Sequence, residues 1–343
     1  MTRLLAAALA LAALTACAPP APATSQDRLV VAGYGGSYQE VFEQAVLPDF
    51  EKACGCEVTY IAGSSTDTVA KLKAQKDAPQ IDVALIDDGP QAQAAQEELL
   101  AALDPKVVTR LGEVEKVARL PGDIGVGFAL TATGLAYNGK WYEDNGLPAP
   151  KRLSDLAHPK LKGKVVLPSI SNTYGVGALM LAAREGDGSV ESGFAGVEKV
   201  AANAFTFDTT ADVSNYFLQG QAVASVWGGS RVETLADKDF PITFVYPEKG
   251  AIPLLATANV VKGAPHADLA QKFVDALLQP GIQHDLAAKG YDGPVVADAT
   301  LEPELAKRVV TSERAATMRP LDWKDVNARR AAWTDRWTKE VEQ

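Results

Sequence analysis

The sequence predicts an α/β protein built in two units around a parallel or mixed sheet. Strands and helices alternate from Arg28 onward with short loops between them. A second alternating run opens near Thr131-Ala132-Thr133-Gly134, followed by Leu135-Ala136-Tyr137-Asn138. About 316 residues follow from Arg28, enough for two ordinary cores.

Leu29-Val30-Val31-Ala32 reads as a short apolar strand, ended by Gly33-Tyr34-Gly35-Gly36. Tyr38 to Lys52 then has helical spacing through Val41, Phe42, Ala45, Val46 and Phe50. Val58-Thr59-Tyr60-Ile61 is β-branched and aromatic, hence a strand. Gly63-Ser64-Ser65-Thr66-Asp67 is a turn that supplies an N-cap, and a helix follows through Val69, Leu72 and Ala74. Ile81 to Ile86 is a third strand, closed by Asp87-Asp88-Gly89-Pro90. Ligands of such sheets sit at the carboxyl ends of the strands, where these three loops gather. In the second unit Gly163 to Pro168 gives a strand, Ser169 to Tyr174 a polar loop, and Val176 to Ala183 an apolar helix. Phe205 to Thr209 is a further short strand, and Ala222 to Trp227 a buried one with Gly228-Gly229-Ser230 after it. Ile252 to Val261 is apolar and extended, long enough to run back into the first unit. His266 to Leu278 is helical, and the tail carries Trp323, Trp333 and Trp337 among alternating charges, as helices packing across the body would.

The first residues address the chain to an export route. Arg3 precedes an apolar run from Leu4 to Ala16, the layout of a secretory signal. That run is short of the ~20 residues a membrane-spanning helix needs. Leu14-Thr15-Ala16-Cys17 resembles a bacterial lipobox, so residues 1–16 are expected to be a lipoprotein signal peptide and Cys17 the lipidated N-terminus. An ordinary signal peptide with a chance cysteine is the alternative. Residues 17–27 then form the anchor and a Pro/Ala-rich tether. Loss of Arg3 from the 33 basic residues leaves 32 against 43 acidic ones, a formal charge of −11. Such a balance excludes nucleic acid and electrostatic docking on anionic lipid, leaving the lipid chain as the only membrane contact. Cys54 and Cys56 flank Gly55 and are either a disulfide across a tight turn or two free thiols. No metal is expected, because His158, His266 and His284 are scattered and no Cys or His pair stands at ligand spacing.

Cofactor and catalytic motifs fail on inspection. Gly33-Tyr34-Gly35 follows a strand, but the third glycine of G-x-G-x-x-G falls on Tyr38, and the second strand ends Tyr60-Ile61-Ala62-Gly63 without an acidic residue for a ribose. No phosphate-binding loop, nucleophile elbow or H-E-x-x-H is present. No cofactor and no enzymatic activity are expected. The loops share binding chemistry instead. Ser37-Tyr38, Ser64-Ser65-Thr66 and Ser171-Asn172-Thr173-Tyr174 each stand where a helix begins, so free N–H groups and the helix dipole favour an anionic oxygen there. Plain N-capping accounts for the same residues one loop at a time.

From here the chain resembles the periplasmic solute-binding proteins of ABC importers, in the group that holds spermidine/putrescine- and iron-binding proteins. The resemblance runs from about residue 28 to 300. It is carried by Gly35-Gly36-Ser37-Tyr38-Gln39, Phe50-Glu51-Lys52, Ile81-Asp82-Val83, Gly134-Leu135-Ala136-Tyr137-Asn138 and Leu153-Ser154-Asp155-Leu156. Pro159, Lys162-Gly163-Lys164-Val165, Val226-Trp227-Gly228-Gly229-Ser230 and Pro247-Glu248-Lys249-Gly250 complete it. It implies a two-lobed periplasmic-binding-protein fold of type II character, lobes joined by crossing strands with the ligand cleft between them. Residues 28–132 with 260–300 would form lobe 1, 133–259 lobe 2, and 301–343 helices across both. It also implies a monomer outside the membrane, a small-molecule ligand, and a permease with ATPase subunits as partners.

The ligand departs from the family pattern. Acidic positions that polyamine binders use fall on Asn172 and Gly175, and their aromatic-then-acidic pair falls on Leu254 and Ala256, leaving Trp227 of the aromatic box. Burying several ammonium groups without carboxylate partners is costly, and an iron site would need adjacent tyrosines, which this chain lacks. An anionic or zwitterionic, amino-acid-like solute is therefore expected, with a polyamine as the alternative. Tyr34 or Tyr38 and Trp227 would be apolar walls, with core packing the equal alternative for Trp227, and Ser37, Ser65, Asn172 and Thr173 hydrogen-bond donors. Arg231 would pair with an acid group, or be a solvated surface cation. Asp87 or Asp88 would take an amine, or serve a turn and helix cap. A secreted α/β enzyme or a non-transport surface lipoprotein are the remaining readings.

Overall fold

The computed structural model describes residues 28–342, so the signal segment, Cys17 and the tether lie outside the described residues. The chain opens with β1 (Arg28–Gly33), α1 (Ser37–Ala45), α2 (Leu47–Cys54), β2 (Glu57–Ala62), α3 (Ser65–Ala74), β3 (Val83–Asp87) and α4 (Asp88–Gln96). Short 3-10 turns lead into the 13-residue β4 (Val126–Asn138). Then come α5 (Gly139–Asp144), β5 (Val165–Pro168), α6 (Thr173–Glu185), α7 (Val190–Ala201), β6 (Ala204–Asp208) and α8 (Ser214–Leu218). β7 (Ala224–Gly228), α9 (Gly229–Ala236), β8 (Ile242–Val245) and β9 (Ile252–Val260) follow. The chain closes with α10 (Ala267–Leu277), α11 (Pro280–Gly290), α12 (Pro303–Arg308), α13 (Ser312–Ala316) and α14 (Trp323–Glu340).

Among the described residues the strands form one mixed sheet in the order β2-β1-β3-β9-β4-β7-β5-β6, with β8 paired to β4. β4 and β9 make this a two-lobed molecule. The first half of β4 pairs antiparallel with β9 over Val126–Thr133, and its second half pairs with β7 and β8 over Thr133–Asn138. β9 in turn lies against β3, with Val260 opposite Val83 and Ala256 opposite Asp87. On one side of this junction a core forms around Phe42, Phe128 and Phe273, and on the other a core around Phe194, Leu179 and Trp337. α14 touches both. Its first turn donates from Trp323 Nε1 to Asp88 Oδ2 (2.7 Å) and from Asn327 Nδ2 to the Gly89 carbonyl, while Trp333 and Trp337 sink into the second core.

Four differences from the sequence reading have local causes. The helix expected from Tyr38 to Lys52 breaks at Val46, because Pro48 has no N–H and its ring opposes the preceding carbonyls; the chain restarts with Pro48 in the first turn of α2. Asp88-Gly89-Pro90, read as a loop, begins α4, where a proline is tolerated because first-turn N–H groups have no helical partner. Thr131–Gly134, read as the opening of a second unit, lies inside β4, where the pairing passes from β9 to β7 at Thr133. α7 escapes notice because Gly193 and Gly196 weaken it as a helix. A Cβ on Gly193 would lie 2.8 Å from the Leu179 carbonyl, so close packing on α6 requires glycine there. Cys54 and Cys56 are joined by a disulfide, with Gly55 between them at φ +64°.

Candidate functional site

The loops after β1, β2, β3, β5, β6 and β7 meet between the lobes. Each is set by local sequence. Ser64 caps α3 and Asp67 reciprocates in a capping box, which turns Ser65 and Thr66 inward. Asn172 caps α6 through its Oδ1 and donates from Nδ2 to the Asp208 carbonyl, joining the loop after β5 to the end of β6. Gly228 ends β7 so closely against Tyr174 that a Cβ would lie 2.3 Å from the Tyr174 hydroxyl. The next turn sends Arg231 back toward the first lobe.

Two connected spaces result. An outer cleft of about 520 Å³ is walled by Gly36, Ser37, Glu40 and Asp67 on one side and Thr210, Asp212, Leu218 and Lys238 on the other. Beneath it lies a cavity of about 20 Å³ lined by Tyr34, Ser65, Asp87, Thr173, Tyr174 and Arg231 among others. That volume is on the order of one or two water positions, so an organic solute reaches this layer only when the lobes part. The lobes touch directly above it. Thr66 Oγ1 donates to the Ser171 carbonyl at 2.8 Å, and Ser37 N to Asp212 Oδ2 at 3.1 Å. Lys238 reaches Glu40 at 3.4 Å across the mouth.

The inner layer is polar and charged. Arg231 is 6 % exposed; its Nη1 donates to Asp212 Oδ2 at 3.1 Å, with the Ser37 hydroxyl and Gly35 carbonyl at 3.4 and 3.5 Å. Burial opposes its charge most strongly, but Asp212, Tyr174 and Tyr38 together outweigh that and raise its pKa. Asp212 pays the same burial cost and is nonetheless held below the usual carboxylate range by Arg231 and by N–H donors. Asp87 is also buried, and burial pushes its carboxyl up against the opposing pull of Thr173, Tyr34 and Ser65. Asp292 stands deeper, pushed up to about 7 by burial despite Tyr38, Ser230 and Arg231. Tyr34 and Tyr38 meet edge to face with ring centroids 4.9 Å apart. Burial first, and then Asp87 and Asp292 respectively, raise their phenols. Four buried atoms of this layer fall short of full hydrogen-bond geometry, the hydroxyls of Tyr34 and Tyr38, Thr173 Oγ1 and Asp292 Oδ2, although Tyr34 and Thr173 face Asp87 and Tyr38 faces Asp292. Buried polar atoms normally find well-placed partners, so incompletely matched ones gathered at one place mark a surface arranged for something else to bind.

Most of the residues singled out from sequence converge here. Tyr34, Ser65, Asp87, Asn172, Thr173 and Arg231 line the inner cavity, and Ser37 with Arg231 the outer cleft. Tyr38 backs Tyr34 from the core. Three readings left open by the sequence are resolved by position. Asp88 lies at the start of α4 with its carboxylate turned to the Trp323 indole, so it serves the C-terminal helix and not the cleft. Trp227 is 1 % exposed, stacked on Phe217 at 6.3 Å and donating to the Ala211 carbonyl, a core residue beneath the site. Arg231 is a buried cation and not a surface one. Asn172 lines the cavity, but both ends of its amide are engaged in capping and bracing. Sequence reasoning missed Tyr174, Asp212 and Asp292. Asp212 carried a signal in hindsight, standing in the polar run Thr209-Thr210-Ala211-Asp212 after a strand. Tyr174 closes the flagged run Ser171-Asn172-Thr173-Tyr174 without a role of its own, and Asp292 carried no signal.

Residues 45–311 match the model of a family described as bacterial extracellular solute-binding protein. A Salmonella typhimurium protein provisionally named a 2-aminoethylphosphonate-binding periplasmic protein is 25 % identical over 312 residues, 87 % of each chain. The gamma-aminobutyric acid-binding protein of Pseudomonas aeruginosa is 26 % identical over 298 residues, 82 % of this chain and 80 % of its own. Among solved structures, a periplasmic binding protein of A. tumefaciens R10 in complex with agropinic acid superposes with a TM-score of 0.79 at 26 % identity, over 92 % of this chain and 99 % of that one.

Proposed function

This chain belongs to the bacterial extracellular solute-binding protein family, and we propose that it is the receptor of an ABC importer for a small zwitterion carrying an amine and an acid group. One observation supports that class above the others: a buried cation, Arg231, and a buried carboxylate, Asp87, line the same cavity, with the Tyr34 and Thr173 hydroxyls beside Asp87. In this reading Asp87 and Tyr34 receive the ammonium, while Arg231, Thr173 and the N-terminus of α1 receive the acid group. Relatives named for 2-aminoethylphosphonate and gamma-aminobutyric acid point the same way, since each molecule holds an amine and an acid on a short chain.

Residues 28–132 with 260–300 act as one lobe and 133–259 as the other, with 301–343 tying them together. Closure of the two around solute presents a surface to the permease, whose ATPase subunits supply the energy outside this protein. Lipidation at Cys17 would keep the receptor at its membrane on the Ala18–Asp27 tether.

A thermal-shift screen of 4-aminobutyrate, 2-aminoethylphosphonate, amino acids, betaines and putrescine tests the class. At a hundredfold excess over Kd a true ligand adds about 2.7 kcal/mol to stability, a shift of several degrees. Stabilisation by the amine-plus-acid compounds is expected. Stabilisation by putrescine alone would replace the zwitterion with a polyamine.

A further inference from the structure

The seat that the proposed function gives to the acid group already holds a carboxylate of this chain. Asp212 Oδ2 accepts from Ser37 N at 3.1 Å, from the Ser37 hydroxyl at 3.4 Å and from Arg231 Nη1 at 3.1 Å. Those three donors are the first N–H of a nine-residue helix, its hydroxyl and a buried guanidinium, which is what a carboxylate or phosphonate from solution would seek. Gly36 makes the approach feasible. It holds φ +64°, and a Cβ there would lie 1.9 Å from Asp212 Oδ2.

The loop that delivers Asp212 belongs to the opposite lobe from Ser37 and is tied down locally. Asp208 Oδ2 accepts from Ala211 N at 2.7 Å and its Oδ1 from Thr210 Oγ1 at 2.7 Å, while Ala211 takes a left-handed φ of +63°. Asp212 Oδ1 accepts from Ser214 N at the start of α8. The carboxylate itself stands on the wall of the outer cleft with its side chain 11 % exposed, whereas Arg231 lies deeper at 7 %. A second anion on the same guanidinium would face Asp212 at short range in a site from which water is excluded, so both cannot hold the seat together.

We infer that Asp212 is a built-in competitor for the solute's acid group, a self-ligand that draws the lobes together through Ser37 and must be displaced into the cleft before an acid-bearing solute docks on Arg231. Asp212 thereby sets specificity: an uncharged or weakly basic headgroup cannot dislodge it, and a full carboxylate or phosphonate can. This inference rests on the zwitterion reading for its ligand, but the lobe contact it describes does not.

The test uses the soluble mature protein with Asp212→Asn and Asp212→Ala. Asn keeps the size of the side chain and its bond to Ser214 N, so it guards against a folding defect in the alanine variant. Titration calorimetry with 4-aminobutyrate and with 2-aminoethylphosphonate should show Kd falling about tenfold in both variants, because one charge-assisted contact no longer has to be broken. Small-angle scattering of the same proteins without solute should show a larger radius of gyration for the variants. Unchanged or weaker affinity in Asp212→Asn overturns the inference, since Asp212 would then be a bystander or a ligand contact. If neither compound binds any of the proteins while the variants still expand, the self-ligand contact stands and the zwitterion reading falls. If nothing binds and nothing expands, both fall.

Discussion

Asp292→Asn should convert a pH-dependent cost into a pH-independent one. Asp292 is 3 % exposed, and burial pushes its carboxyl from an ordinary 3.8 up to about 7 against the weaker pull of Tyr38, Ser230 and Arg231. Between those two values the native protein holds a proton that the unfolded chain has released. The stabilisation is therefore complete below about pH 4 and is lost as pH rises toward 7. One such group changes stability by about 1.4 kcal/mol per pH unit inside that window, so between pH 5 and pH 7 the wild type loses about 2–3 kcal/mol through Asp292. Asp88, also pushed up to about 7 by burial, loses in the same direction. Asparagine has the same shape and never ionises. Urea unfolding of wild type and variant at pH 5 and pH 7, read as midpoint and slope, isolates the term. The variant should gain about 2–3 kcal/mol on the wild type between the two pH values, leaving the Asp88 contribution in both. An identical pH dependence in the two proteins would mean that Asp292 is charged in the fold and that water or movement relieves its burial.

Two further substitutions probe the lobe contact and the strap. Gly36→Ala places a Cβ against Asp212 Oδ2 at a φ of +64°, so it should cost about 1–2 kcal/mol in thermal unfolding and enlarge the solute-free protein in scattering. Trp337→Ala empties a fully buried site packed against Phe194 and should cost about 3–5 kcal/mol, measured by denaturant titration, with the fold otherwise retained.

Elements were legible wherever one short segment determines them. β1, β2, β3 and β7 are β-branched or apolar runs bounded by glycine, and the sheet needs nothing else from them. α4 was not, because Asp-Asp-Gly-Pro has turn chemistry in isolation and becomes a helix start only with Trp323 over Gly89, where a Cβ would meet the indole at 2.6 Å. The site divides along the same line. Ser65, Thr173 and Asn172 follow from the rule that small polar residues open helices. Arg231 was ambiguous, since its burial depends on Asp212 and Ser37, the latter 194 residues away. Asp292 was invisible because a lone aspartate after a helix has no local pattern; only Tyr38 and Ser230 above it give it meaning. Trp227 stayed open for the converse reason, as a tryptophan at a strand end serves equally as wall or core until Phe217 is found stacked upon it.

The placement of the contacts argues for where the molecule can yield. On the side away from the cleft the lobes are joined by continuous strands, β4 and β9, and by α14, whose Arg330 also donates to the Ser171 carbonyl at 3.1 Å. Separating the lobes there would break ladder hydrogen bonds and the bonds of Trp323 to Asp88 and of Asn327 to Gly89. At the mouth the joining contacts are a handful of polar ones: Ser37 with Asp212, Arg231 with the Ser37 hydroxyl and the Gly35 carbonyl, Thr66 with Ser171, and the exposed Lys238–Glu40 pair. Each ordinary hydrogen bond contributes about 0.5–1.5 kcal/mol net and an exposed ion pair less. Opening at the mouth therefore costs a few kcal/mol, an amount that the binding of a micromolar ligand, worth about 8 kcal/mol, readily exceeds. A hinge along β4 and β9 with a polar, breakable rim is what lets a solute decide whether the lobes stay shut. Asp212 ties that rim to the buried Arg231 guanidinium, since one carboxylate oxygen accepts from Ser37 across the mouth and from Arg231 on its own side.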